Sequence, residues 1–140
     1  MAKKIFISFD YTNDHYYKDL LRAWNANRDF DFSFNDCTPS EIQSDDVSRV
    51  KAMLTTKIID ADVVLVIVGA ECNKRHPDWY KIGYLNWQVF EIEKAKMYNK
   101  PIVAVKLNMY NQAPDCLIGI GASWAMSFTY DAIKRALDNA

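Results

Sequence analysis

Two kinds of hydrophobic pattern alternate along the 140-residue chain and predict five strands and four helices. Continuous or strictly alternating apolar residues are typical of strands, whereas apolar residues every three or four positions are typical of helices. The predicted strands are residues 5–9, 30–34, 63–68, 102–107 and 124–128. The first predicted helix follows Asn13 or Asp14 as N-cap, and its apolar face carries Tyr17, Leu20, Leu21 and Trp24. The next two helices are residues 45–59 and 84–98. The last helix is capped by Thr129 and ends near Asp138.

The alternation of strands and helices predicts the fold class. Strands that are almost continuously apolar and separated by helices indicate an α/β protein with a parallel sheet covered on both faces. We expect a flavodoxin-like, three-layer fold whose five parallel strands have the order 2-1-3-4-5, in one domain spanning residues 1–140. The strand residues expected in its core are Ile5, Ile7, Val64, Val66, Val103 and Val105.

This strand order also predicts where a ligand binds. In open α/β sheets the ligand crevice lies outside the carboxyl ends of the strands, where the winding reverses between strands one and three. Residues 8–13 and 69–84 would form that crevice, and the helix at residues 84–98 would begin beside it. Trp87 and Glu91 stand four positions apart, on one helix face. We expect Leu85, Val89 and Ile92 to meet the core, and Glu91 to lie on the opposite, non-core side.

Composition and charge exclude several classes of function. The formal net charge is -1, from 17 basic and 18 acidic residues, which argues against electrostatic capture of nucleic acid or an anionic membrane. Three dispersed cysteines without a CxxC pair indicate reduced thiols, and Cys72 with His76 is too small a set for a zinc site, so we expect no metal. The longest apolar run cannot span a bilayer and the first one is too short for a signal peptide. We therefore expect a soluble, cytoplasmic protein.

Some common occupants of this crevice are also excluded. A receiver domain needs an acceptor Asp at the end of strand three and a Lys after the last strand, whereas Gly69 and Ala70 follow strand three and no Lys directly follows Phe128. The loop at residues 10–14 contains no glycine, which disfavours a flavin phosphate site. The dinucleotide fingerprint and the Walker lysine motif are both absent from the sequence.

Several segments, in order, resemble TIR-like (Toll/interleukin-1 receptor-like) domains. The first is KIFISFDY at residues 4–11 together with Asp14. The others are residues 21–24, 29–32, 59–69, 87–95 and 100–105, so the resemblance covers roughly residues 3–107. The chain is most similar to the bacterial and archaeal branch that includes the signal-producing TIR subunit of Thoeris antiphage defence.

The resemblance implies cleavage of the nicotinamide–ribose bond of NAD, with NAD as substrate rather than cofactor, and release of linear or cyclic ADP-ribose as a signal. Glu91 matches the family's catalytic glutamate, with an aromatic residue four positions earlier. A carboxylate can stabilise the oxocarbenium-like ribose, and no metal is required because the nicotinamide departs neutral. Trp79 is a weaker candidate for ligand contact. The expected partners are NAD or a related nucleotide and a second TIR or effector protein, and the residues expected to bind the nucleotide are Ser8, Phe9, Asp10, Tyr11, Asn86 and Trp87.

Two alternatives remain open at this stage. Many TIR domains are scaffolds that assemble through their surfaces without catalysis. We expect Tyr16, Trp79, Tyr80 and Tyr84 to be exposed, and such residues would suit these contacts. A nucleoside deoxyribosyltransferase-like enzyme shares the fold and a ribose-facing glutamate, and exchange of bases between deoxynucleosides would reveal it. For Phe9 a position in the core is an alternative to contact with ligand, and for Ser8 and Asp10 the alternative is turn capping.

Overall fold

A computed structural model of the protein describes residues 3–10, 13–26, 32–35 and 46–140. The strands in this part of the chain are β1 (Lys3–Ser8), β2 (Phe32–Asn35), β3 (Val63–Val68), β4 (Ile102–Lys106) and β5 (Ser123–Ala125). The helices are α1 (His15–Ala26), α2 (Val47–Asp60), α3 (Trp79–Ile82), α4 (Trp87–Met97) and α5 (Tyr130–Asp138), with one 3-10 turn at Asp115–Leu117.

The strands form one sheet with the order β2-β1-β3-β4-β5, and every neighbouring pair is parallel. The α/β class and the parallel sheet predicted from the sequence are confirmed. β1 lies between β2 and β3, so the chain reverses its direction of travel across the sheet after β2. In the register of β1 and β3, Ser8 stands opposite Val66. The carboxyl ends of these two strands therefore form the switch point at which such folds bind ligands.

The sheet is buried on both faces, as the apolar strands predict. One face packs Phe6, Val64 and Val66 against α2 and α4, and the other packs Ile5, Ile7 and Leu65 against α1 and α5. All six residues of β3 are buried. The strand residues predicted for the core are confirmed there: Ile5, Ile7, Val64, Val66, Val103 and Val105.

The predicted helix at residues 84–98 is divided in the structure. The short helix α3 ends at Gly83, whose φ of 85° is the left-handed conformation that glycine adopts without a steric penalty. Asn86 then begins α4, because its side-chain oxygen accepts a hydrogen bond from the Val89 amide at 2.9 Å. The fifth strand is also shorter than predicted. The Thr129 cap is confirmed, since the hydroxyl accepts from the Ala132 amide.

The buried face of α4 differs from the predicted one. Leu85 precedes the helix and is 37% exposed, and Val89 is only partly buried. The predicted stripe is therefore wrong for these two residues, although Ile92 is buried as expected. The helix packs against β1, β3, α2 and the 3-10 turn, so it is covered on several sides rather than along one stripe. Its buried residues are Trp87, Gln88, Phe90, Glu91, Ile92 and Ala95.

The helices of the described ranges are short. The longest, α2, contains 14 residues. None of the helices in these ranges combines the length and the apolar character that crossing a membrane requires.

Candidate functional site

The central feature of the switch point is a buried hydrogen bond between Ser8 and Glu91. The Ser8 hydroxyl, at the last residue of β1, donates to Oε1 of Glu91 on α4 at 2.7 Å. Both residues are completely buried. We predicted that one crevice joins Phe9, Asp10, Tyr11 and Glu91. Of this prediction, the proximity of the Glu91 carboxylate to the exit of the first strand is confirmed.

The prediction that Glu91 lies on the non-core side of its helix is wrong. Side chains alternate along a strand, so Ser8 shares the face of Phe6, which packs in the same core cluster as the α4 residues Phe90 and Ile92. Glu91 therefore meets the end of β1 instead of water. A buried carboxylate is costly unless hydrogen bonds compensate for lost hydration, and the Ser8 hydroxyl supplies one such bond. Holding this carboxylate at the switch point therefore lowers the stability of the fold.

Gln88 is a second polar residue of α4 that reaches the strand ends, and the sequence analysis missed it. Its Nε2 donates to the Ser8 carbonyl at 3.2 Å and to the Ile67 carbonyl at 2.7 Å. One amide group therefore bridges β1 and β3 where the two strands part. Gln88 precedes Glu91 by three positions, a helical spacing that puts both side chains on one face and that could have identified it.

Asp14 approaches the same junction from the amino end of α1. Its amide donates to the Asp10 carbonyl at 2.8 Å, and its carboxylate occupies the space that a Cβ at Gly69 would fill. A side chain at residue 69 would collide with this carboxylate, so the contact requires glycine. Burial, together with the neighbouring charge of Asp10, raises the pKa of Asp14 from 3.8 to about 6.

Asp10 stabilises the turn that carries Asp14. Its carboxylate accepts from the Asn13 amide at 3.2 Å and from Asn13 Nδ2 at 2.8 Å, so both of its oxygens bind Asn13. Asp10 is partly exposed, in contrast to the buried Ser8 and Glu91. Tyr11, predicted beside it, lies outside the described residues.

The predicted aromatic contacts are mostly core contacts. Phe9 is 1% exposed and packs in the core on the α1 and α5 side of the sheet, so stacking of a ligand on its ring is incompatible with this structure. Trp87 is almost buried, with its ring 5.7 Å from that of Phe90 and 6.4 Å from that of His76, measured between centroids. The Trp87 ring therefore packs between Phe90 of its own helix and His76 of the segment between β3 and α3.

Asn86 has a structural explanation that was not foreseen. Its Nδ2 donates to the Cys72 carbonyl at 2.9 Å and to the Lys74 carbonyl at 3.0 Å, while its oxygen caps α4. These bonds fasten the loop after β3 to the start of α4 and occupy both amide hydrogens. In this conformation Asn86 positions the site and has no N–H left for a nucleotide.

Cys72 lies near the same junction but is poorly suited to act as a nucleophile. Burial raises the pKa of its thiol to about 11, with smaller contributions from the nearby carboxylates of Asp14 and Asp10. The Sγ is also 3.2 Å from the Gln112 carbonyl. Because the thiolate is the reactive form, a thiol with this pKa is inert near neutral pH.

Taken as chemistry, the junction of β1 and β3 is rich in hydrogen-bond acceptors. Glu91 reaches it from α4 on one face of the sheet, and Asp14 reaches it from α1 on the other. Gln88 spans the two strand ends between them. Such an arrangement favours a ligand that carries hydroxyl donors or develops positive charge, and it disfavours an isolated anion.

The structure is similar to two solved structures over nearly the whole chain. A prokaryotic SEFIR domain has 16% sequence identity and a TM-score of 0.58, covering 99% of this chain and 95% of that one. A 2-desoxiribosyltransferase from Leishmania mexicana has 14% identity and a TM-score of 0.54, covering 94% of this chain and 93% of that one. At these identities the likeness shows the fold alone. No curated protein has significant sequence similarity to the chain.

Family membership follows from the sequence. The profile of the family described as Thoeris protein ThsB, TIR-like domain, matches residues 6–112. This range contains the second half of β1, all of β2 to β4, and Ser8, Asp14, Gln88 and Glu91, and it makes up well over half of the chain. The resemblance to TIR-like domains is therefore confirmed, and the chain belongs to the Thoeris ThsB family of TIR-like domains.

Proposed function

We propose that this protein is an NAD-consuming enzyme that cleaves the nicotinamide–ribose bond and releases a linear or cyclic ADP-ribose product as a signal in antiphage defence. The observation that carries the proposal is the Glu91 carboxylate, held by the Ser8 hydroxyl at 2.7 Å beside the carboxyl end of β1. Membership of the Thoeris ThsB family supports the same proposal.

The proposed chemistry needs a negative charge in a fixed position. When the bond to the cationic nicotinamide breaks, the pair of electrons leaves with the neutral base and the ribose gains oxocarbenium character. A carboxylate aimed at that ribose stabilises the developing charge, most effectively where water is excluded. Glu91 meets both conditions once the nicotinamide ribose lies against it.

Access to Glu91 is the step that the geometry makes demanding. The carboxylate is completely buried, so the ribose can reach it only if the segments around the switch point move apart. We therefore expect the isolated domain to be inactive until it oligomerises or a trigger acts on it. A monomer with fast NAD turnover at nanomolar concentration would contradict that expectation.

The experiment is incubation with NAD at high protein concentration, with the products separated by chromatography, for the wild type and for Glu91→Gln. The amide keeps the shape of the side chain but removes the charge, so we expect cleavage to fall about 10²-fold or more. Glu93→Gln is the matched control, because Glu93 lies on the same helix and pairs with Lys96 at 2.8 Å near the surface. It should cleave NAD at the wild-type rate.

Burial changes how the stability of the Glu91→Gln protein must be treated. A position outside the core would leave the melting temperature unchanged, but Glu91 accepts a buried hydrogen bond from Ser8. Each variant therefore needs a melting curve, and rates are compared only between folded proteins. A folded Glu91→Gln protein that retains most of an active wild type's rate would remove Glu91 from the mechanism.

A deoxyribosyltransferase-like activity is the second candidate. The likeness to the Leishmania enzyme over 94% of the chain favours it, since that structure shares the fold. Incubation with a deoxynucleoside and a different free base distinguishes the two activities. Base exchange without NAD cleavage would favour this candidate over the NAD-consuming enzyme.

A scaffold without catalysis is the third candidate, and exposed aromatic residues favour it. Tyr16 and Tyr80 are each 62% exposed, and Trp79 is also exposed. Tyr84 does not belong to this set, because it is partly buried with its ring 5.8 Å from that of Phe90. A wild type that binds a partner but is inert toward NAD under every condition would favour the scaffold.

A further inference from the structure

Two oxygen acceptors at the junction of β1 and β3 are buried without a hydrogen-bond partner among the described residues. They are Oδ2 of Asp14 and Oε1 of Gln88. Asp14 is 6% exposed and Gln88 is 4% exposed, so neither oxygen is well hydrated in this conformation. An unsatisfied buried acceptor costs about 1–3 kcal/mol, and a cluster of two at one strand end calls for an explanation.

The surrounding contacts fix both oxygens in place. Gln88 donates its two amide hydrogens to the carbonyls of Ser8 and Ile67, which determines where Oε1 points. Asp14 is pressed against Gly69, two residues beyond Ile67 on the same chain segment, and its amide is bonded to the carbonyl of Asp10, two residues beyond Ser8. Gln88 and Asp14 therefore contact β3 and its continuation at positions two residues apart, and two residues of extended chain span about 6–7 Å.

The chemistry of the two groups identifies the kind of ligand. An amide oxygen whose nitrogen is already engaged and a carboxylate oxygen are both acceptors, so their partner must be a donor. Ribose carries two neighbouring hydroxyl groups that can each donate. An anionic phosphate offers no donor at neutral pH and would be repelled by Asp14, Asp10 and Glu91.

We propose that Asp14 Oδ2 and Gln88 Oε1 accept hydrogen bonds from the hydroxyl groups of the substrate's nicotinamide ribose and make the site selective for ribose over deoxyribose. This inference rests on the proposed function, because NAD supplies the ribose. It assigns to the two residues a role separate from that of Glu91: they recognise the sugar, whereas Glu91 opposes the charge that develops on it.

The test measures binding of NAD and of its 2′-deoxy and 3′-deoxy analogues, each modified in the nicotinamide ribose. Binding is measured by calorimetry on the Glu91→Gln protein, because this substitution prevents consumption of the ligand. We expect the affinity of this protein for NAD to be at least about tenfold higher than its affinity for one or both analogues. A hydrogen bond to a charged group changes an affinity by about that factor. Adding Asp14→Asn should weaken binding of NAD more than binding of the analogue that lacks the hydroxyl bound by Asp14. The preference for NAD over that analogue should fall about fivefold, because the amide oxygen still accepts a hydrogen bond but carries no charge.

Asp19→Asn is the matched control, since Asp19 lies on α1, is exposed and pairs with Lys18 at 3.3 Å. This variant should retain the full preference for NAD. A loss of the preference in this variant would indicate a general effect of substitutions on α1. Gln88→Met, similar in length but without polar atoms, should also reduce the preference if it folds. Circular dichroism establishes folding, and Asp14→Asn decides the question if Gln88→Met does not fold.

The outcomes separate this inference from the proposed function. A folded Asp14→Asn protein that keeps the preference, or a parent protein that has none or fails to bind NAD, would overturn the inference. NAD cleavage is assayed separately on protein with Glu91 intact. Absence of cleavage together with an Asp14-dependent ribose preference would refute the proposed activity and support the ribose site. Cleavage with no ribose preference would refute the ribose site alone.

Discussion

Replacing Asp14 with Asn should stabilise the fold at neutral pH, although we expect it to weaken ligand binding. The pKa of Asp14 is raised from 3.8 to about 6, first by burial and then by the charge of Asp10. The folded protein therefore binds a proton at this site more tightly than the unfolded chain does. Between pH 3.8 and 6 the native state holds the proton that the unfolded state has lost, so stability falls as pH rises through this window.

The size of the effect follows from the shift in pKa. The difference of 6 - 3.8 = 2.2 pKa units corresponds to about 3 kcal/mol at most, since one unit is about 1.4 kcal/mol. Above pH 6 the wild type bears this full cost of an ionised Asp14. Asn removes the charge but leaves a buried amide with unsatisfied groups, which opposes part of the gain. We expect a net stabilisation of about 1–2 kcal/mol at pH 7.5.

The assay is urea denaturation of the wild type and of Asp14→Asn at pH 4, 5, 6 and 7.5, with Asp19→Asn as the exposed control. The difference in free energy of unfolding between Asp14→Asn and wild type should widen with pH and level off above pH 6. A difference that is independent of pH would refute a raised pKa for Asp14. Destabilisation that grows from pH 4 to 7.5 would show that the ionised carboxylate is better satisfied than the structure indicates.

Two further substitutions test the packing around the site. Ser8→Ala removes the hydroxyl that donates to Glu91. The free energy of unfolding, measured by denaturation, should therefore fall by about 1–3 kcal/mol, and the rate of NAD cleavage should fall about tenfold. Ser48→Ala is the control and should change neither quantity, because Ser48 is exposed. Gly69→Ala places a Cβ against the Asp14 carboxylate, so the free energy of unfolding should fall by about 1–3 kcal/mol. Adding Asp14→Ala should recover much of that loss, and strictly additive effects would show that the two residues do not compete for space.

The sequence by itself determined the layered architecture. Apolar strands separated by amphipathic segments can bury their side chains only in a sheet covered on both faces, and this physics placed Val64, Val66 and Val103 in the core correctly. In α2 the buried residues Val50, Leu54 and Ile58 recur every four positions, which is the spacing of one helix face. Where one face is buried and the other hydrated, local pattern is sufficient.

The same reasoning failed in α4, because that helix is surrounded. Its buried residues include Gln88 and Glu91, which a polarity pattern assigns to the surface. Both are polar because they meet the ends of β1 and β3, where carbonyl and hydroxyl groups need partners. The proximity of Glu91 to the first strand could be predicted from topology, but its burial could not.

The contacts that complete the candidate site depend on tertiary structure alone. Asp14 lies against Gly69 only because α1 and the end of β3 converge at the switch point, and no local feature of either segment indicates the other. Phe9 follows a strand and enters the core rather than the crevice, because the α1 and α5 side of the sheet offers it apolar neighbours. The sequence determined which elements form and the edge at which they meet, since these follow from local hydrophobic pattern. The three-dimensional packing decided which side chains are buried there and which acceptors lack donors, since burial depends on neighbours distant in the chain.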